Sequence, residues 1–349
     1  MTSKHVLVIG GGIAGISAAN ALAANDIGIT LVEKEPFLGG HALQYACKAA
    51  AACVKCGACL AEEKLKLFFE NDSINKLLSS KVTAVKQSDR YTLAIQTNPT
   101  HIDPAKCNGC RACLPACPEH GALIQSYTQY THPPVAVQTA LCLNYKGQQC
   151  RMCQDACPEN AIDFKQDTST RTIDADAVII AAGFKPYDPT DKPYGYGHLP
   201  NVMTNLELER MLRLNSRALR PSDSTPARKI AFIQCVGSRD AKLNHLWCSK
   251  VCCASSLRMA RLIKSRDPQT EIVWFYIDVQ TFGKNFQTYY KDSQKEIELV
   301  RIIPGDIVPA DNDQLQVSFF DNKTAKGVDA LFDLVVLSIG MLPFGTASE

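Results

Sequence analysis

Residues 5–35 read HVLVIGGGIAGISAANALAANDIGITLVEKE, a run that few folds accommodate. An apolar strand enters Gly10, Gly12 and Gly15 at G-x-G-x-x-G spacing. A helix of small residues follows, and a second strand ends at Glu33 with Lys34 beside it. Each glycine has a task in a βαβ unit that holds a dinucleotide. Gly10 permits the tight turn, Gly12 lets the backbone approach a pyrophosphate, and Gly15 lets the helix pack close to the strand. The helix N-terminus then faces the phosphates. Glu33, about 20 residues downstream, can accept from a ribose hydroxyl. Glycine spacing alone is weak, but strand, turn, helix, strand and acid in this order argue for a nucleotide site rather than an idle turn.

Two later stretches, DAVIIAAGFKP (176–186) and DLVVLSIGMLP (333–343), share an acid, an apolar strand, a small-x-Gly turn and a proline. They resemble the segments that return to the first domain in flavoproteins of the thioredoxin reductase and glutathione reductase type. That resemblance implies FAD rather than NAD, held by Gly10, Gly12, Gly15, Glu33, Lys34, Gly40, Ala182, Gly183, Gly340 and Pro343. The expected fold class is α/β, a two-dinucleotide-domain flavoprotein. It would be thioredoxin reductase-like, Rossmann-type and three-layered, with an inserted α+β ferredoxin-like domain. Residues 1–100, 166–226 and 331–349 would form the FAD-binding domain and 101–165 the insert. Residues 227–330 would form the second nucleotide-like domain: strand KIAFIQCV, a helix from about 249 to 265, and strand EIVWFYIDV.

Sixteen cysteines stand in four groups of four: 47/53/56/59, 107/110/113/117, 142/150/153/157 and 235/248/252/253. In a reducing compartment such a number points to metal or redox work rather than structural disulfides. CNGCRACLPACPE and CLNYKGQQCRMCQDACPENAIDF repeat each other, as a two-cluster ferredoxin does. In that pattern the fourth cysteine of each run reaches the other cluster. Cys107, Cys110, Cys113 and Cys157 would therefore hold one 4Fe–4S cluster, and Cys117, Cys142, Cys150 and Cys153 its partner. The seven residues between Cys142 and Cys150 depart from the pattern. Tetrahedral zinc is the competing metal, but it does not call for a duplicated, cross-ligating motif with Cys-Pro.

Residues 229–253 read KIAFIQCVGSRDAKLNHLWCSKVCC. A second dinucleotide fold needs G-x-G-x-x-G after the strand; here the turn is QCVGSRD and only Gly237 remains. The phosphate cradle for NADPH is missing. Cys235 closes the strand, and Cys248 and Cys252 are expected one helical turn apart on one face, with Cys253 adjacent. An iron–sulfur cluster in place of NADPH is the reading, against four buried structural thiols.

GSRD followed by CSKVCC, the inserted ferredoxin, and PYGYGHLPNVMTNLELERML resemble the A-type iron–sulfur flavoprotein of heterodisulfide reductase and its relatives in sulfur metabolism. The resemblance covers nearly the whole chain. It implies FAD, ferredoxin-type clusters, a cluster at Cys235, Cys248, Cys252 and Cys253 near the flavin, and a homodimer. It also implies partners, the heterodisulfide reductase B- and C-like subunits, that carry out the sulfur chemistry. Three clusters are expected, with a fourth possible. Against the long methanogen form the chain lacks an extra N-terminal domain and a C-terminal ferredoxin after Pro343, so stepwise transfer is expected, with electron bifurcation the alternative. Where the long form aligns a lysine, this chain has Arg258. Arg258 is either a cation that raises the flavin potential or a solvated helix arginine.

The first quartet, Cys47, Cys53, Cys56 and Cys59, follows GGHALQYA. It reads as a fourth cluster, as an exchange dithiol beside the flavin in the manner of glutathione reductase, or as structural thiols. With the dithiol, the chain would be an NAD(P)H-dependent disulfide reductase. The net charge of +2 gives no reason to expect nucleic acid. No apolar run approaches a membrane span and no signal peptide opens the chain, so no membrane insertion and a cytoplasmic location are expected.

Overall fold

The computed structural model describes residues 4–50, 52–53, 56–281, 283–322 and 324–343. Two compact units emerge: Met1–Leu43 with Gly57–Gly183, and Gln44–Cys56 with Phe184–Glu349.

The first unit runs β1 (His5–Ile9), α1 (Ile13–Ala23), β2 (Gly28–Val32), α2 (Ala58–Phe69), β3 (Ile74–Leu77), β4 (Ser80–Gln87) and β5 (Tyr91–Thr97). The insert carries α3 (Cys113–Ala116), β6 (Leu123–Gln125), β7 (Val135–Val137) and α4 (Met152–Asp155); β8 (Ser169–Ala175) and β9 (Ala177–Ile180) follow. A parallel sheet of order β3-β2-β1-β9 lies beside an antiparallel β4-β5-β8 meander. The alternation of side chains along β1 explains the layering. Val6 and Val8 pack with Ile16, Ala19, Leu65 and Phe68 of the helices, whereas Leu7 packs with Leu93, Ile95 and Ala175 of the meander. A strand buried on both faces must read as an unbroken apolar run, and HVLVI does.

The insert keeps a core of its own around Ile102, Ala122, Val137, Ala161 and Ile162. An antiparallel bridge between Ile102 and Ile162 closes its two ends.

The second unit repeats this plan. It comprises β10 (Phe184–Pro186), β11 (Val202–Thr204), α5 (Asn205–Asn215), β12 (Lys229–Val236), α6 (Cys252–Arg266), β13 (Glu271–Phe275), α7 (Phe286–Glu296) and β14 (Glu298–Val300). Then come β15 (Asp306–Pro309), β16 (Leu315–Asp321), β17 (Lys326–Phe332), β18 (Leu334–Ile339) and β19 (Met341–Pro343). The sheet order β11-β18-β12-β13-β14 contains the same third-second-first-fourth arrangement as the first unit, extended by β11, and a β15-β16-β17 meander accompanies it. Ile230, Phe232, Trp274, Leu334 and Val336 face the helices. Ala231, Ile233, Phe275, Val335 and Leu337 face the meander residues Val317 and Phe332.

This topology corrects two expectations. The 333–343 stretch does not return to the first sheet: β18 pairs in parallel with β12 and β11, and β19 pairs with β10. Residues 184–226 likewise pack with the second unit. The shared sequence pattern of β9 and β18 marks the fourth strand of each unit, not a common sheet. The second correction concerns the helix expected from 249. It begins at Cys252, because Lys250 takes a left-handed backbone, φ 59°, which breaks the helical run. Cys248 therefore lies in the preceding loop and shares no helical face with Cys252. No helix among the described residues is long and apolar enough to cross a membrane.

Candidate cofactor and metal sites

The glycine turn of the first unit has the geometry its spacing implies. A Cβ on Gly10 (φ 104°) would lie 2.3 Å from the Ala181 carbonyl oxygen, and one on Gly15 would lie 1.9 Å from that of Gly10. A Cβ on Gly12 would meet nothing within 4 Å, so the backbone there is open to a close ligand. Gly12 caps α1 without a side-chain hydrogen bond, and no acidic residue stands in the first helical turn. An uncapped helix N-terminus beside an open glycine is a ready anion site. Gly40 approaches Gly12, a Cβ on it lying 3.3 Å from the Gly12 Cα, and Gly183 (φ 75°) is likewise open. Ala182 is half-buried and Lys34 exposed.

Glu33 is buried. Its carboxylate accepts from the Gly11 N–H at 2.5 Å and the Glu35 N–H at 2.8 Å. Burial pushes its pKa up, against the pull of those two N–H donors. Each oxygen retains a lone pair for a further donor, as a ribose hydroxyl would supply. Gly340 and Pro343 belong to the second unit. Gly340 packs on the 237–238 turn of the second unit, where a Cβ would meet Ser238 Oγ at 2.4 Å, and Pro343 sits on β19 opposite Phe184.

In the second unit the turn after β12 keeps one glycine, packed against a ring. A Cβ on Gly237 would stand 2.2 Å from the Tyr187 ring, and residues 237–251 separate strand from helix. What forms instead is an open recess of about 290 Å³, lined by Cys235, Cys248, Cys252 and Cys253 together with Arg239 and Asp278. It lies past the carboxyl ends of β12 and β13, where open α/β sheets bind ligands. A bulge after Ile233 turns Cys235 into it, with Cys235 itself left-handed at φ 63°. Cys252 and Cys253 open helix α6. The Lys250 N–H donates to Cys248 Sγ at 3.3 Å.

Burial pushes the Cys235 thiol up to about 11 and the Cys252 thiol up to about 12, with the neighbouring Cys253 charge adding to both. Cys253 is raised by burial as well. Thiols held this high are poor free nucleophiles at neutral pH and become thiolates only beside a cation. The donor set fits iron.

The insert brings one set of four cysteines to a single recess. Cys107, Cys110, Cys113 and Cys157 line a second recess, of about 350 Å³. Burial raises the Cys113 thiol, and the charges of Cys157, Cys107 and Cys110 add to it. Cys153 is pushed up to about 11 by burial, with the Cys117 and Cys142 charges next. Cys142, which precedes the extra residues, is buried in the same cluster as Cys153. Those extra residues before Cys150 form a turn (144–148) from which Tyr145 reaches the His101 ring at 3.0 Å and the Phe164 carbonyl at 3.1 Å. Cys150 is half-buried. Among the described residues no three His, Cys, Asp or Glu side chains converge on a point as a single ion requires.

The first quartet differs. Cys47, Cys53 and Cys59 are exposed and Cys56 is half-buried. Cys47, Cys53 and Cys56 belong by packing to the second unit and Cys59 to the first. The segment around Cys47 is anchored by a buried pair, Lys48 Nζ to Glu209 Oε2 at 2.5 Å, and by the Ala46 N–H to the same carboxylate at 2.9 Å.

Arg258 projects towards α7, its guanidinium carbon 6.0 Å from the Tyr289 ring centroid, and its Nε is buried without a partner. It does not line the recess; the cationic side chains there are Arg239, which is paired with Asp278, and Lys250. Sequence reading passed over Arg239 and Asp278. They stand just past the ends of β12 and β13, and only the parallel pairing of those strands joins them.

Comparison with known proteins bears on both sites. Residues 8–59 match the NAD(P)-binding Rossmann-like domain, and residues 100–123 match the 4Fe-4S binding domain. Thioredoxin reductase of Lactococcus lactis shares the fold, at a TM-score of 0.50 and 12% identity over 98% of this chain and 79% of its own. The iron–sulfur A-type polypeptide of CoB--CoM heterodisulfide reductase from Methanopyrus kandleri, second form, is 35% identical over 361 residues, 99% of this chain. The chain belongs to the A-type heterodisulfide reductase family. Its counterpart in the H(2):CoB-CoM heterodisulfide,ferredoxin reductase of Methanothermobacter marburgensis is 33% identical over 97% of the chain. The chain spans about half the length of these curated relatives, 55% and 53%. FAD and iron–sulfur clusters are the cofactors that fit the two matched domains and the residues described.

Proposed function

We propose that this chain is the FAD- and 4Fe–4S-containing electron-transfer subunit of a cytoplasmic heterodisulfide reductase-like complex in sulfur metabolism. In this reading it is an oxidoreductase that works as a homodimer and exchanges electrons with B- and C-like subunits, which carry the sulfur chemistry. The observation that carries the proposal is the recess of the second unit, where four thiols replace the phosphate cradle of a nicotinamide nucleotide.

When bound, FAD supplies a two-electron to one-electron exchange and the clusters supply one-electron transfer. The chain's own residues hold and shield these groups. Gly12 and the open end of α1 receive the FAD pyrophosphate, and Glu33 orients the ribose. Cys235, Cys248, Cys252 and Cys253 hold one cluster; Cys107, Cys110, Cys113 and Cys157 hold another; Cys117, Cys142, Cys150 and Cys153 hold a third. The helix dipole at Cys252 and Cys253 favours the negative charge of a four-thiolate cluster. The ferredoxin-like insert 101–165 serves as the path between the flavin and the partner subunits.

A second reading draws on the exposure of Cys47, Cys53 and Cys59: an NAD(P)H-dependent reductase with an exchange dithiol. Anaerobic titration of the FAD-loaded protein separates the two. We expect NADPH to leave the flavin absorbance unbleached while dithionite bleaches it and develops cluster EPR signals. Prompt bleaching by NADPH would transfer support to the dithiol reading.

A further inference from the structure

We infer that Arg239, held by Asp278, sets the reduction potential of the second-unit site; this rests on the reading that a 4Fe–4S cluster occupies the recess. Arg239 and Asp278 both line the recess with the four thiols. The guanidinium bonds Asp278 through both arms, Nη1 to Oδ1 and Nη2 to Oδ2, the latter at 3.2 Å. Gln280 Nε2 steadies the same carboxylate at 3.1 Å. On the other side of Asp278, its backbone carbonyl lies 3.9 Å from Cys253 Sγ.

Adding one electron makes a four-thiolate cubane one charge more negative. A fixed cation at its edge stabilises the reduced form more than the oxidised one, because Coulomb energy scales with the charge it meets. Asp278 acts in the opposite sense, so the pair is a positive charge with a built-in attenuator. The Arg239 side chain is 26% exposed and that of Asp278 35%. Both are shielded enough for the field to act, yet close enough to water for substitution to be tolerated. Arg239 touches no reacting atom and is a positioning residue for charge.

The test is an EPR-monitored redox titration of the full chain, with dithionite and mediator dyes as the electron source. The recess signal is identified as the one that Cys248→Ala removes. Arg239→Gln is expected to lower the reduced-to-oxidised ratio of that signal at least tenfold at fixed potential, about 59 mV for one electron. Asp278→Asn is expected to raise it, and Arg239→Lys to restore most of the loss. Signals from the insert should not move. A role in folding alone would not give opposite signs for the two partners. Unchanged ratios, or a shift of the same sign in both variants, with iron content intact, would overturn the inference. If Cys248→Ala removes neither iron nor a signal, the recess holds no cluster and the parent reading falls with it.

Discussion

Gly12 and Gly15 sit in one motif, yet a side chain would meet very different surroundings at each. Gly12 has an ordinary extended backbone, φ −74°, and open space, so Gly12→Ala should leave the stability of the flavin-free protein within about 0.5 kcal/mol. It should nevertheless weaken FAD binding at least tenfold, about 1.4 kcal/mol, because the added methyl occupies the pyrophosphate approach. Gly15→Ala faces a backbone oxygen 1.9 Å away and should destabilise the fold itself by about 1–3 kcal/mol. Urea unfolding of the flavin-free variants and FAD fluorescence titration check the two halves separately. Equal effects at both positions would mean that Gly12 serves packing rather than a ligand. The contrasting surroundings of these glycines were legible in the sequence because each depends on local backbone. The role of Arg239 was not, since its meaning comes from Asp278 on a neighbouring strand's trailing loop.

Strands β9 and β18 show where local pattern stops informing. The stretches before Gly183 and Gly340 read alike, and each does supply the fourth strand of a parallel sheet. Which sheet each joins is decided by long-range pairing that no local motif encodes. The helix expected from about 249 starts later: the Ser249 hydroxyl is engaged by Ser238 at 2.8 Å and by the Met341 N–H at 2.9 Å. The helix waits until Cys252. Asp333, at the entry to β18, fixes the pairing with β12 by accepting from the N–H groups of Arg228 (2.8 Å) and Lys229 (2.9 Å) and from Gln314 Nε2 (3.0 Å). Burial pushes this carboxyl up, but the Gln314 amide and the two backbone donors outweigh it and hold the pKa below 3.8. A depressed carboxylate contributes stability above its unfolded pKa and loses it as pH falls through the folded value. Asp333→Ala should therefore cost about 3 kcal/mol at pH 7. Its deficit against the native chain should shrink as pH is stepped below 3.8. Urea titrations across that range check it, and a deficit independent of pH would remove the charge from the explanation.

Taken whole, the chain is a duplicated plan in which the two copies have diverged in what their first turn holds. The first copy keeps an open glycine at a helix end; the second packs Tyr187 on the glycine after its first strand and gathers thiols beyond it. An insert with two further quartets supplies the remaining iron sites of the proposed function. The spacing of the cysteines made one set readable: Cys107, Cys110, Cys113 and the distant Cys157 line a single recess, as cross-ligation asks. The first quartet stayed ambiguous, and three of its four thiols are exposed. Three cubanes and one flavin would thus share a single chain. The decisive quantity is iron and acid-labile sulfide per FAD in anaerobically purified protein, in the native chain and in Cys248→Ala. About 12 irons per FAD are expected, four for each cubane, falling by about four in the variant. About four or fewer in the native chain, or no loss in the variant, would contradict the three-cluster assignment.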